Sequence, residues 1–350
     1  MNHRRRGGES RRRGSEASRQ GRGASGHRRL TLAAALVWDR LLGEPSPHPV
    51  RGIGAILQVG RERRRSESPA GSLLEGALVL GAAVGAGALA ARLASRLVGG
   101  EGGLTRAAVR RTSSSEKGRT PSVGTTALRL LGQAALLKPA LALEGLLEAG
   151  EEVARALDRG EVDEARRLTA WHLVSRDTSR LSTSQISSAV VESLSENLVD
   201  SVVAPSWAFL AGGLPAAWAY RAVNTADAVL GYRTPELEWF GKPAARLDDL
   251  LNLAPARWTG TALLLARGRP PLLGALRREA RKAAGPNAGW PMAAAALALG
   301  VRLEKPGTYV LNPGGRAPKA EDIARAVRLV RHGALVALGG LLLLAREPNP

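Results

Sequence analysis

Hydrophobic residues along this chain fall into long uncharged runs separated by charged segments of helical period, and strand-type alternation is not sustained anywhere. From Leu30 the chain turns apolar. The clearest run is Ser72–Ala91 (SLLEGALVLGAAVGAGALAA), about 20 residues with Glu75 as its only charge, long enough to cross a hydrocarbon core of roughly 30 Å. Within it Gly81 and Gly85 make a GxxxG, the spacing that lets helices approach closely in lipid. A second uncharged stretch, Ser201–Tyr220, carries Pro205, Gly212, Gly213 and Pro215, which predicts a bent or re-entrant segment rather than a straight span. Shorter apolar runs at Ala134–Leu147, Trp258–Ala266, Ala293–Val301 and Gly333–Ala345 need tilt, extension into their flanks or burial against neighbours. Glu144–Ala170 reads as two amphipathic helices split at Gly160. The pattern predicts an all-α fold: a polytopic integral membrane helical protein with amphipathic and re-entrant helices.

Charge changes the picture only at one end. The 350 residues carry a net charge of +19, but the first 29 hold ten Arg against Glu9 and Glu16, so +8 sits there and +11 is spread over the remaining 321. Such an Arg-, Gly- and Ser-rich segment cannot offset its ordering entropy and is expected to be a disordered basic tail (1–29), ahead of a single helical membrane enzyme domain (30–346) and a short C-terminal end (347–350). It is a poor signal peptide, because Asp39 and Arg40 interrupt the apolar run that follows it. With only 12 aromatic residues, stacking platforms are scarce and no nucleic acid is expected as a partner. The absence of Cys excludes disulfides, thiolate–zinc sites and a Cys nucleophile. Arg residues flank Ser72–Ala91 on both sides, so charge does not set its orientation.

The densest polar constellation runs from Arg176-Asp177-Thr178 through Ser182–Asp200 (STSQISSAVVESLSENLVD). Ser182 to Ser184 can cap a helix on which Glu192, Glu196 and Asp200 recur every four residues, within an arc of about 80° at 100° per residue, with Asn197 beyond them. Carboxylates so aligned repel unless a cation or basic partner sits among them. On a generic soluble helix they would be a solvated face; here the helix runs into an uncharged stretch, which puts a Mg²⁺ or substrate-amine site on a level with that reading. Asn224-Thr225-x-Asp227 and Arg246-Leu247-Asp248-Asp249-Leu250-Leu251-Asn252 have the same flavour, the second as a DDxxN string. Pro286–Pro291 is a tight turn into an apolar helix, where Trp290 fits a packing role. Asp39–Val50 (DRLLGEPSPHPV) puts Asp39, Glu44 and His48 near one helix end. No GxxxxGK[ST] or GxSxG occurs.

In order along the chain, these motifs resemble the adenosylcobinamide-phosphate synthase (CobD/CbiB) family of cobalamin biosynthesis. The likeness covers Asp39–Val50, Arg176-Asp177-Thr178, Glu192-Ser193 with Glu196-Asn197 and Asp200, Asn224-Thr225-x-Asp227, Ala244–Asn252, Pro255-Ala256-Arg257 and Pro286–Pro291, within roughly 30–307. Departures are the basic tail, Met292 where the family commonly has an acidic residue, and a loosely patterned Tyr309–Pro318.

The resemblance implies a multi-pass enzyme of the cell membrane, its active site on the cytoplasmic side. It would join adenosylcobyric acid, a corrinoid, to (R)-1-aminopropan-2-ol or its O-phosphate by an amide bond, using ATP as co-substrate and Mg²⁺. The corrin carboxylate must be activated, as an acyl phosphate, before a deprotonated amine attacks it, which needs metal ligands, cations for phosphate and a base. On this reading Arg176, Asp177, Glu192, Glu196 and Asp200 form the catalytic set. His48, Asn197, Asn224, Asp227, Arg246, Asn252, Arg257 and Asn287 bind substrates, and Glu192, Asp200, Asp248 and Asp249 bind the metal. Besides its substrates, the expected partners are the lipid bilayer and other corrinoid-pathway enzymes. Competing readings are a Mg²⁺-dependent phosphotransferase acting on lipid or polyprenyl phosphates, and a transporter whose buried carboxylates carry ions; neither accounts for the whole ordered set of motifs.

Overall fold

The computed structural model describes residues 26–43, 48–99, 123–232, 234–269 and 272–345. Thirteen α-helices run through them: α1 (26–42), α2 (Val50–Glu62), α3 (Pro69–Gly99), α4 (Val123–Leu137), α5 (Leu143–Asp158), α6 (Val162–His172), α7 (Thr183–Leu198), α8 (Ala204–Leu230), α9 (Lys242–Leu251), α10 (Leu253–Ala266), α11 (Leu273–Ala280), α12 (Gly289–Leu299) and α13 (Ala320–Leu344). The protein is an all-α polytopic membrane protein, with one short hairpin (Leu303–Lys305 against Tyr309–Leu311) among the described residues. Its strands are three residues each, too short for a period-2 pattern to register in the sequence.

Among the described residues, four helical stretches are long and apolar enough to cross a bilayer: Pro69–Gly99, Gly124–Asp158, Thr183–Leu230 and Ala320–Leu344. The 13-residue apolar run at Gly333–Ala345 thus reaches spanning length by extending N-terminally, where Asp322 accepts both the Lys319 backbone N–H (2.9 Å) and Arg316 (2.6 and 2.7 Å). Leu74, Leu78, Leu89 and Leu97 on α3, with Leu335 and Leu344 on α13, point outward, as lipid-facing side chains do. α12 is too short to span, and nine of its 11 residues are buried; it lies inside the bundle and ends at Gly300, whose left-handed φ of 69° only glycine adopts without cost.

The packing seam of α3 is not the one its sequence advertises. Gly81 and Gly85 face outward with open space around them, whereas Ser72, Gly76, Leu80, Ala83, Gly87 and Ala91 are buried. At Gly76 a side chain would overlap the Phe240 carbonyl, and at Gly87 it would press on Trp218. The spacing of four and three residues keeps these positions on one face; the GxxxG lies about 150° away at 100° per residue and meets no partner among the described residues.

The expected split at Gly160 is present, with α5 and α6 either side of a φ of 76°. The expected cap is too: Ser182 Oγ accepts the Gln185 N–H (3.3 Å) while Gln185 Oε1 accepts the Ser182 N–H (2.9 Å). The bend in Ser201–Tyr220 has two parts. A single π-helical turn, Val199–Val203, joins α7 to α8, and Gly213 (φ 72°, ψ −163°) with Pro215 breaks α8 internally.

Breaking a helix in an apolar surrounding frees carbonyls that need donors. Pro215 has no N–H to give the Ala211 carbonyl, and Arg28 Nη1 takes that place at 2.9 Å while reaching the Leu210 carbonyl at 3.0 Å. The first described helix therefore begins at residue 26, not at 30, and residues 26–29 belong to the folded body. His27 adds a contact to Gln133 (3.1 Å). Residues 1–25, the bulk of the expected tail, and 346–350 lie outside the described residues, as does Glu44.

Two outcomes follow from this architecture. The protein should stay in the membrane pellet through carbonate extraction; release as a monodisperse species without detergent would contradict the spans. Deleting residues 2–25 should leave thermal stability unchanged, whereas Arg28→Ala should cost about 2 kcal/mol, the scale of lost charged hydrogen bonds, read as a lowered unfolding midpoint in detergent.

Candidate active site

α7 and the π turn carry one wall of a pocket, α8 and α9 the second, and the turn before α12 closes the third. The cavity is about 200 Å³ and is lined by the carboxylates of Glu196, Asp200, Asp227, Asp248 and Asp249. Asn252, Asn287 and Pro291 complete the lining on the α10 and α12 side. Three segments far apart in sequence thus bring five acidic side chains to one place.

A hydrogen-bonded chain holds them. Arg221 Nη1 donates to the Asp200 carbonyl (3.3 Å), freed by the π turn, and to Asn224 Oδ1 (3.3 Å). Asn224 Nδ2 faces Asp248 Oδ1 (3.4 Å), and Asn252 Nδ2 donates to Asp248 Oδ2 (2.9 Å). The Tyr220 hydroxyl donates to Asn252 Oδ1 (2.9 Å) and lies 3.4 Å from Asp200 Oδ1. Burial pushes the Asp248 carboxyl above its ordinary range, and the two amide donors hold it back. Glu196 accepts no hydrogen bond from the described residues and makes no ion pair with Arg176 or Arg180, so its oxygens stay open to the cavity.

The structure gathers part of the expected set and disperses the rest. Asp200, Asp227, Asp248, Asp249, Asn252 and Asn287 line the pocket, and Asn224 and Arg257 brace it. Glu192 does not line it: its carboxylate accepts from Ser188 Oγ (2.9 Å) and from the Tyr309 hydroxyl (3.0 Å) on the hairpin, where the charges of Arg176 and Lys305 also act. The reason is axial distance. Eight residues of α-helix separate Glu192 from Asp200 by about 12 Å, too far for one ion even when both share a face. Tyr309 keeps its proton, since burial first and Glu192 second push its hydroxyl upward.

Asp177 is exposed, its Oδ1 accepting the Ser179 N–H (2.9 Å) in a local turn. Asn197 turns back to Ser193, donating to its carbonyl (3.0 Å) and hydroxyl (2.9 Å). His48 caps α2, its Nδ1 accepting the Val50 N–H (3.2 Å). Arg246 is exposed on α9 and does not line the pocket. Sequence reasoning left Tyr220 and Arg221 without a role, although they stand four and three residues before Asn224, on the same helix face. Asp39, buried at the other end of its motif, accepts the Leu143 and Glu144 N–H groups (2.9 and 3.0 Å) and lies 3.6 Å from Lys138 Nζ. It fixes the start of α5, a structural task.

The donor set is all oxygen, which suits a hard cation such as Mg²⁺. No three His, Asp or Glu side chains among the described residues are close enough to cage an ion by themselves. Mg²⁺ usually takes one or two carboxylates and fills its shell with water and substrate phosphates, so the residues present fit that ion in company with a ligand.

The chain matches the family described as CobD/Cbib protein over residues 32–330. The chain belongs to the CobD/CbiB family. Among curated CobD/CbiB relatives, the probable cobalamin biosynthesis protein CobD of Methanothrix thermoacetophila is 37% identical over 324 residues, covering 89% of this chain and 96% of that protein. That of Pyrococcus furiosus is 36% identical, covering 86% and 93%, and the cobalamin biosynthesis protein CobD of Klebsiella pneumoniae is 32% identical, covering 88% and 95%. No solved structure matches the chain. Membership makes the chain a cobalamin biosynthesis enzyme with membrane helices.

Tyr220→Phe should leave Asn252 Oδ1 buried without its donor, costing about 1–2 kcal/mol and loosening Asp200 and Asp248 together. Thermal unfolding in detergent checks the first effect, and a fall in turnover larger than the stability loss checks the second.

Proposed function

We propose that this CobD/CbiB chain forms the amide bond between adenosylcobyric acid and (R)-1-aminopropan-2-ol or its O-phosphate, with ATP and Mg²⁺. The observation that carries the reading is the convergence of five carboxylates on one small, water-accessible pocket within an apolar bundle. Such a cluster is costly unless positive charge joins it, and both Mg²⁺ and a substrate amine supply that charge.

One or two of the Asp200, Asp248 and Asp249 carboxylates would hold Mg²⁺, with water and substrate phosphate completing its shell; when bound, it would neutralise phosphate charge during carboxylate activation. Glu196, with oxygens free of protein donors, is placed to take the proton the amine must lose before it attacks. The Asn224 and Asn252 amides fix Asp248, and Asn287 secures the α9 end by donating to the Asp249 carbonyl (2.7 Å). At about 200 Å³ the cavity is below the roughly 300–1,000 Å³ of ordinary ligand pockets, so it receives the reacting ends and the corrin stays outside. ATP supply places this pocket at the cytoplasmic face of the cell membrane.

Asp248→Asn and Asp200→Asn should each lower turnover at least tenfold while the protein still accumulates in the membrane, with partial recovery at high Mg²⁺. Glu192→Gln should instead act mainly through the hairpin, lowering stability by about 1–3 kcal/mol. ATP-dependent formation of the amide, with the product identified by mass, tests the set. Wild-type turnover in Asp248→Asn and Asp200→Asn would overturn the site. Activity on lipid phosphates with none on corrinoids would favour the phosphotransferase reading.

A further inference from the structure

Beside the acidic pocket lies a second cavity, of about 500 Å³ and opposite character. Arg257, Arg277 and Arg281 line it with Trp290, over the Gly285–Pro286 turn. The two cavities share Gly285 in their linings. They are also joined by a hydrogen bond, Arg257 Nη1 to Asn287 Oδ1 at 3.2 Å, with Asn287 lining the acidic side. Arg257 is held in place: its guanidinium lies 4.9 Å over the Trp290 ring, and Nη2 reaches the Pro286 carbonyl (3.3 Å). Arg277 and Arg281 stand four apart at the end of α11 and are exposed.

None of the three guanidinium groups forms an ion pair with a carboxylate among the described residues. Their neighbour Lys282 does, with Glu279 at 2.7 Å. Basic residues at a helix C-terminus complement its dipole, but Arg278 serves that purpose equally and lines neither cavity. What the dipole does not account for is convergence: α10 and α11 aim three unneutralised Arg across one concavity that abuts a cluster of carboxylates.

We propose that Arg257, Arg277 and Arg281, backed by Trp290, form a phosphate subsite that holds the phosphate of a ligand whose positive end or bound cation sits among Asp200, Asp248 and Asp249. Arg recognises phosphate through paired N–H donors, and Arg257, held over Trp290, with the exposed Arg277 and Arg281 can converge on one. Two substrates of the proposed reaction carry this chemistry: an aminoalkyl phosphate, with ammonium and phosphate at its two ends, and ATP with Mg²⁺. The assignment rests on the amide-synthase reading only for that choice of ligands. Arg176, which attends Glu192, and Arg246 line neither cavity.

The test is ligand binding to the full chain in phosphatidylcholine nanodiscs, by calorimetry, with four probes: 1-aminopropan-2-ol O-phosphate, free 1-aminopropan-2-ol, Mg²⁺–ATP and inorganic pyrophosphate. Arg277→Gln and Arg281→Gln should each weaken a phosphate-bearing probe by about tenfold, with Arg278→Gln unchanged and free aminopropanol insensitive to all three. Both substituted side chains are exposed, so the variants should fold; Arg257→Lys, keeping charge but losing the fork, should weaken the same probe. Sensitivity confined to the aminoalkyl phosphate assigns the subsite to the amine's phosphate, and sensitivity confined to ATP assigns it to the nucleotide. Unchanged affinity in the Arg277→Gln/Arg281→Gln double variant overturns the proposal, as does failure of every phosphate probe to bind the unaltered protein. Binding that disappears when phosphatidylglycerol replaces phosphatidylcholine would hand the three Arg to lipid headgroups and overturn it too. Binding is read without turnover. Arg-dependent binding with no amide formed would therefore reject the proposed reaction and keep the subsite, and amide formation with Arg-independent binding would do the reverse.

Discussion

A helix broken inside an apolar bundle must find donors for the carbonyls it frees, and much of this fold is arranged around that need. The continuous stretch Thr183–Leu230 is interrupted twice, at the π turn and at Gly213–Pro215. Each interruption recruits a distant part of the chain. The Ser201 carbonyl accepts the Ala142 N–H (3.0 Å), tying the π turn to the entrance of α5. The Asp200 carbonyl accepts Arg221, and the Leu210 and Ala211 carbonyls accept Arg28. α1, α5 and the second half of α8 are thus attached where the broken helix would otherwise leave polar groups bare.

The same breaks build the pocket. A π turn inserts an extra residue into the helical winding and is a frequent feature of functional sites. Here it sets Asp200 against Tyr220 and Asn252 and turns its carbonyl to Arg221. Asp39 works at one remove: by accepting the first N–H groups of α5, it holds the segment whose Ala142 braces the π turn. Charge separation then organises the surroundings. Acidic groups collect on the α7–α8–α9 side, and unneutralised Arg on the α10–α11 side, with Asn287 at the junction. The two signs thus face each other across the Gly285–Asn287 turn.

The helices, the spans, the split at Gly160, the cap at Ser182 and the bend before Tyr220 were legible in the chain, since each arises from local chemistry: apolar length, a glycine, a side-chain cap, a proline. The family was legible because its motifs recur in order. Asp200, Asp248, Asp249 and Asn252 were legible as polar residues with no local reason to sit beside apolar helix. What periodicity could not provide was depth along the axis. Glu192, Glu196 and Asp200 share a face but not a level, so Glu192 serves the hairpin while the other two serve the pocket.

Pairings across hundreds of residues were beyond any reading of spacing. Arg28 sits in what reads as a charged tail, and only the unsatisfied carbonyl opposite Pro215 draws it into the fold. Gly81 and Gly85 carry the recognised spacing, yet Gly76, Ala83 and Gly87 make the contact, because the azimuth of α3 is chosen by where Phe240 and Trp218 press against it. Arg277 and Arg281 look like helix-end charges until α10 brings Arg257 and Trp290 beside them. The sequence by itself determined which segments are helical and which residues are chemically out of place among them, since both depend on neighbours a turn or two away. The tertiary structure alone decided which of those residues meet, because a meeting depends on the rotation and depth at which each helix packs, and those are set by the summed fit of every surface it touches.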